Sequence, residues 1–179
     1  STGGQVWMTV CGDVNGDGNM DVSCANGGTG NGSILLGNGA GGLALGYLTP
    51  SVGLMTATDL GDLDGDGDLD WVLSSFGGGV WRLYENQGGA NFSLHTIFPA
   101  VANPACCGIL DIDGDRDLDL ALFDEIDDTT TLMENGALDQ TTFCYGDGSG
   151  VACPCGNSGA DGHGCEHSFA TGGGLLLAQ

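Results

Sequence analysis

Three stretches of this chain set aspartate or asparagine at every second position. They read GDVNGDGNMD over residues 12–21, GDLDGDGDLD over 61–70 and LDIDGDRDLD over 110–119. Side chains at alternate positions of a tightly curled loop point inward together. A set of about six to eight oxygens at roughly 2.3–2.6 Å is what a hard cation such as calcium takes. The spacing therefore predicts up to three calcium sites. The first has Asp13, Asn15, Asp17, Asn19 and Asp21, the second Asp62, Asp64, Asp66, Asp68 and Asp70, and the third Asp111, Asp113, Asp115, Asp117 and Asp119. Gly65 and Gly67 permit the positive φ that such a curl demands. An EF-hand needs Glu at loop position 12, where this chain has Cys24, Leu73 and Leu122, and it needs flanking helices for which no periodicity argues. The sites are unequal. The first is diluted by asparagine, and Arg116 stands where the second site has Gly67, placing a positive charge beside the third ion.

The loops account for the charge of the chain. Thirteen of the 24 acidic residues lie inside them, against two basic residues, Arg82 and Arg116, and the net charge is -22. Phosphate backbones and anionic membranes are excluded as partners, because both need Lys and Arg to displace counterions. Two carboxylates about 4 Å apart repel by about 4 kcal/mol at an effective dielectric near 20. Calcium is thus expected to act as a structural staple. With 36 glycines in 179 residues and 7% aromatics, the apolar core is expected to be thin.

The first aspartates, Asp13, Asp62 and Asp111, are 49 residues apart at both intervals. The flanks repeat with them. Residues 6–10, 54–58 and 108–110 read as strands entering each loop. Residues 22–25, 71–73 and 120–123 leave it, and residues 34–38, 81–86 and 131–135 form a further strand ending in asparagine. Residues 42–48 and 91–98 supply another, with the period of two that marks a half-buried strand. Each unit is about four short strands, and the fold class is all-β. From Cys144 the texture becomes Cys- and Gly-dense, so a boundary is placed near 143. It separates a β-repeat domain, 1–143, from a small disulfide-rich module, 144–179.

An Asp-x-Asp/Asn-Gly-Asp-Gly-x-x-Asp loop between strands, repeated every fifty or so residues, resembles the FG-GAP/VCBS repeat of integrin-α-like β-propellers. The resemblance covers roughly residues 5–143. It implies one four-stranded blade per repeat, with calcium in the loop between two blade strands. By position the side-chain ligands would be Asp13, Asn15, Asp17 and Asp21; Asp62, Asp64, Asp66 and Asp70; and Asp111, Asp113, Asp115 and Asp119. Main-chain oxygens would come from Asn19, Asp68 and Asp117. The terminal segment resembles modules of secreted bacterial proteins. Propellers close with typically four to eight blades. Two full repeats and a partial third leave blade edges for another copy to cover, or mark the chain as a fragment.

Eight cysteines, at 11, 24, 106, 107, 144, 153, 155 and 165, read as a disulfide framework in an oxidising compartment. Cys11 and Cys24 bracket the first loop and are a candidate cross-link. The adjacent Cys106 and Cys107 form a vicinal bridge or pair elsewhere. Zinc held by Cys144, Cys153, Cys155 and Cys165 with His163 and His167 is the alternative for the module. Asn31 and Asn91 begin N-glycosylation patterns. A start at Ser1 suggests a processed or excised chain, and no apolar run approaches the ~20 residues of a membrane helix.

The resulting expectation is an extracellular, secreted or surface-exposed bacterial protein, structural and self-associating, as in a fibre or surface layer. The partner is another copy of the chain, in a homo-oligomer or polymer joined through blade edges. The alternative is an adhesive module for a carbohydrate or protein ligand, with Trp71, Trp81 and Tyr84 as its contact aromatics. No enzyme is expected: the only carboxylates outside the loops that read as a cleft are Asp124, Glu125 and Glu134.

Overall fold

A computed structural model describes residues 5–136. The chain divides into two compact units, Ser1–Asn135 and Gly136–Gln179. The expected boundary at 143, the module with Cys144, Cys153, Cys155 and Cys165, and any fourth strand of the third repeat lie outside the described residues.

Each repeat is its own antiparallel sheet. Strands β1 (Val6–Gly12), β2 (Asp21–Asn26), β3 (Asn31–Gly37) and β4 (Leu43–Leu48) form the first, in the order β1-β2-β3-β4. Strands β5 (Met55–Gly61), β6 (Asp70–Ser75), β7 (Val80–Asn86) and β8 (Phe92–Pro99) form the second in the same order. Strands β9 (Pro104–Leu110), β10 (Asp119–Asp124) and β11 (Thr129–Met133) form the third. Neighbouring strands join by short turns, and the three Asp-rich stretches connect β1 to β2, β5 to β6 and β9 to β10. One single-turn 3₁₀ segment, Phe76–Gly78, interrupts the β pattern before β7; it ends on Gly79 at φ 64°.

The sheets meet face to face through their first strands, β5 packing on β1 and β2, and β9 on β5 and β6. Strand β6 is buried throughout, because both its faces meet another sheet. The junction of sheets 1 and 2 is filled by Ile34, Met55, Trp71, Leu73, Tyr84 and Phe92. Tyr47 stands edge-on to the rings of Trp71 and Phe92 at 6.3 and 5.5 Å. The second junction uses Ala57, Val72, Trp81, Cys107, Leu120 and Leu122. Burying bulk between sheets compensates for the scarcity of aromatics.

This packing corrects one expectation. Trp71, Trp81 and Tyr84 are not displayed on loops for a ligand; they are 0, 3 and 2% exposed and form the inter-sheet core. Trp71 Nε1 donates to Thr58 Oγ1 at 2.7 Å and Trp81 Nε1 to the Cys106 carbonyl at 2.9 Å. Asp124 is likewise no cleft carboxylate. It is buried, and its oxygens accept the backbone N–H groups of Ala102, Asn103, Ile126 and Asp127. Burial pushes its pKa up, but the four N–H donors outweigh that and leave the carboxyl below its usual range. Glu125 and Glu134 are exposed.

Among the described residues, Cys11, Cys24, Cys106 and Cys107 form no disulfide with one another. The proposed Cys11–Cys24 link is not made: Cys11 stands opposite Val22 and Cys24 opposite Thr9, two positions out of register. Nor is the vicinal bridge. Cys106 and Cys107 are successive residues of β9, and a strand turns successive side chains to opposite faces, leaving Cys106 exposed and Cys107 buried.

Candidate metal centre

The Asp-rich loops share one hydrogen-bond scheme. The first aspartate caps the turn: Asp13 accepts from Asp17 and Gly18, Asp62 from Gly65 and Gly67, and Asp111 from Gly114 and Arg116. The third residue, Asn15, Asp64 or Asp113, accepts the N–H two positions on. The fifth, Asp17, Asp66 or Asp115, does the same. These stacked Asx turns curl the chain and leave the remaining oxygen lone pairs free to converge. The curl needs positive φ at two points per loop, supplied by Gly16 and Gly18, by Gly65 and Gly67, and by Gly114 and Arg116. Arg116 adopts φ 86°, a conformation that costs an L-residue roughly 1–2 kcal/mol.

The last aspartate of each loop is different. Asp21, Asp70 and Asp119 are buried and use both oxygens to join three segments. One oxygen accepts the N–H of the loop's second residue, from Val14 at 2.9 Å, Leu63 at 3.0 Å and Ile112 at 2.7 Å. The other accepts an N–H at the end of the third strand, from Gly37 at 2.7 Å and Asn86 at 2.9 Å, or just past it, from Asn135 at 2.7 Å.

A second device was not visible in the sequence. The Asn86 side chain donates Nδ2–H to the Val14 carbonyl in the preceding sheet's loop, and to the Leu69 carbonyl in its own. Asn135 repeats the reach to the Leu63 carbonyl. Each loop is thereby held by the sheet that follows it. The first sheet carries Gly37 at this position and has no such amide. Glycines make room for the same junction: a Cβ on Gly12 would meet Leu69 at 2.7 Å, and one on Gly61 would meet Ile109 at 2.4 Å. The signal available in sequence was the shared spacing of Asn86 and Asn135 and of Gly12 and Gly61.

Oxygens of Asp62, Asp64 and Asp70 lie within 4.8 Å of one another, as do those of Asp111, Asp113 and Asp115. The donor set is oxygen only, the chemistry of a hard cation, and the residues fit calcium. Crowding of negative charge shows in acidity. Burial pushes the Asp70 carboxyl up, with Asp64 and Asp66 adding to it, against the N–H donors of Asn86 and Leu63. In loop 3, lost hydration, the contact with Asp115 and the charges of Asp115, Asp119 and Asp113 push Asp117 up to about 6, while the Asp117 N–H holds Asp115 down. A cation relieves this repulsion. Loop 1 forms no carboxylate triplet of this kind among the described residues. There the amides of Asn15 and Asn19 donate to Asp17 at 3.1 and 2.8 Å, and the Asn19 N–H, the largest of these effects, holds its carboxyl low.

The remaining predicted residues divide. Asn91 is exposed in the turn before β8, whereas Asn31 is half-buried, its Oδ1 accepting from Asn26 and Thr29, and the following Ser33 is fully buried. His95 and Glu85 pair across β7 and β8 at 3.2 Å.

The FG-GAP-like repeat matches twice, over residues 13–73 and 62–122, each match running from one loop to the strand after the next. No curated protein matches the chain. Among solved structures, a functionally unknown protein from Desulfotomaculum acetoxidans DSM 771 aligns with 74% of this chain and 70% of its own, at 9% identity and a TM-score of 0.26. Because the two matches together span more than half the chain, with the loop as their shared boundary, the protein belongs to the FG-GAP-like repeat family.

Proposed function

We propose that this chain is a calcium-stabilised, extracellular structural protein that associates with copies of itself, a subunit of a fibre or surface layer. The observation that carries the reading is the position of the loops. Each is tied by its last aspartate to the third strand of its own sheet, and the first two also to the asparagine of the next. An ion held by Asp62, Asp64 and Asp70, or by Asp111, Asp113 and Asp115, would neutralise the loop carboxylates and fix the joint between sheets. The loop side chains do the rest: they bind, orient the strands and carry no reacting group. Net charge and the absence of lysine favour cations over nucleic acid or anionic lipid as partners. No described helix is long and apolar enough to cross a membrane.

Thermal unfolding with and without chelator tests the stapling. At about 100-fold above its dissociation constant each bound ion adds about 2.7 kcal/mol, so calcium should raise the midpoint and magnesium should do so less. An unchanged midpoint defeats this part of the reading. Sedimentation in millimolar calcium tests association, and a monomer at every concentration defeats that part. An adhesive module is the second reading, favoured by Trp7, which is 60% exposed on β1. A glycan array without hits counts against it.

A further inference from the structure

The reading that the chain associates with itself leaves open which surface makes the contact, and the sheet stacking narrows it. A copy stacking head to tail would set its first sheet on the third sheet of its neighbour, repeating the internal junctions. Both halves of that junction are altered. The first sheet carries Gly37 where Asn86 and Asn135 supply the clamping amide. The third sheet carries Leu110 where Gly12 and Gly61 leave room for the next sheet's leucine or isoleucine. Stacking in the manner of the internal sheets is therefore closed off by residue identity at both ends.

The outer strands offer another route. Among the described residues, strands β4 and β8 each end their sheet and present one unpaired row of backbone groups. Native edges of this kind are blunted by charge or proline. Strand β8 is blunted: it carries His95 paired with Glu85 and ends on Pro99. Strand β4, Leu-Ala-Leu-Gly-Tyr-Leu, has neither. Leu43, Leu45 and Leu48 are 54, 54 and 46% exposed. They face Gly37, Leu35 and Ser33 of β3 and so share one side of the sheet, while Tyr47, opposite Ile34, turns into the core. No Asp, Glu, Lys, Arg or His lies between Asp21 and Asp59, in a chain of net charge -22.

We infer that β4 is the contact between copies: two β4 strands pair antiparallel across a two-fold axis, joining two four-stranded sheets into one of eight. The occupant is a second copy because the repulsion between two such acidic chains is least where neither carries charge. An antiparallel pair is also self-complementary, meeting the isologous requirement of a closed dimer and merging the leucines of both strands into one stripe.

The inference rests on the self-association reading, and the experiment separates the two. Sedimentation equilibrium of the full chain in millimolar calcium should show a concentration-dependent dimer. Leu45→Lys should abolish it without altering the circular dichroism or thermal midpoint, and Leu94→Lys on β8 should leave it intact. Assembly that persists in Leu45→Lys overturns the β4 contact while self-association stands. A parent chain monomeric at all concentrations overturns both. Should Leu45→Lys perturb the fold, hydrogen exchange on the parent decides. The β4 amides should exchange several-fold more slowly in concentrated than in dilute solution. Equal rates, including β4 amides already protected in the monomer by another part of the same chain, overturn the contact.

Discussion

The side-chain amide of Asn86 donates at 2.8 Å to the carbonyl of Val14, 72 residues earlier and in the loop of the preceding sheet. Asn86 is fully buried, and its backbone N–H is given to Asp70. One residue thus ties its own loop to the neighbouring one. Replacing it by alanine leaves the Val14 and Leu69 carbonyls without this donor inside the junction. A buried polar group that loses its partner costs about 1–3 kcal/mol. Asn86→Ala should therefore destabilise by roughly 2–4 kcal/mol in urea unfolding, and Asn86→Asp should not rescue it, since a carboxylate cannot donate. Gly37→Asn, at the equivalent position of the first sheet, should bring no comparable gain.

The glycines at the junction give a second prediction. A Cβ on Gly61 would sit 2.4 Å from Ile109 Cγ2 and 3.1 Å from Leu118 Cδ1, so the β-branched Ile109 must shift to admit it. Overpacking of this kind costs about 1–3 kcal/mol. Gly61→Ala should lower the unfolding midpoint, while Leu110→Gly, at the equivalent but exposed position of the third sheet, should change it far less. Equal effects would mean that the two positions do not differ as the packing requires.

These two devices mark the limit of what the sequence discloses. The Asp-rich loops, the 49-residue period and the strand count were legible because each depends on residues close in the chain. The reach from Asn86 to Val14 was not, since it depends on how one sheet sits on the next; the asparagines read only as turn residues. The aromatics were misplaced for the same reason. Trp81 and Tyr84 lie three apart on β7 and turn to opposite faces, and only a neighbouring sheet against each face buries them, Tyr84 with Trp71 at one junction and Trp81 at the other. Asp124 resembled a spare carboxylate because nothing local announces the turn 102–103 whose N–H groups it caps.

Asp124 predicts a pH dependence. Its four backbone donors hold the folded-state carboxyl below the usual range, so it contributes stability fully above the unfolded value, about 3.9. That contribution is lost as pH falls through the folded value. Asp124→Asn should therefore lower the midpoint at neutral pH, and the gap between variant and parent should narrow below about pH 4. A gap that holds constant down to pH 2 would show that the carboxylate charge contributes nothing.

Arg116 is the strained member of the third loop. It holds φ 86° where Gly18 and Gly67 hold 84 and 95°, and its backbone N–H donates to Asp111 while its exposed side chain brings the loop's one positive charge. Relief of the backbone strain is worth roughly 1–2 kcal/mol, offset in part by the greater freedom of glycine in the unfolded chain. Arg116→Gly should accordingly raise stability by about 0.5–1 kcal/mol in chelator. It should also tighten calcium binding at this loop, because the substitution removes the one positive charge the loop carries and with it the repulsion of an incoming cation. Arg116→Lys keeps both strain and charge and should do neither. Calorimetric titration of the three proteins separates the effects. A gain in stability without tighter binding would assign Arg116 to backbone strain alone, and tighter binding in the lysine variant would contradict both arguments.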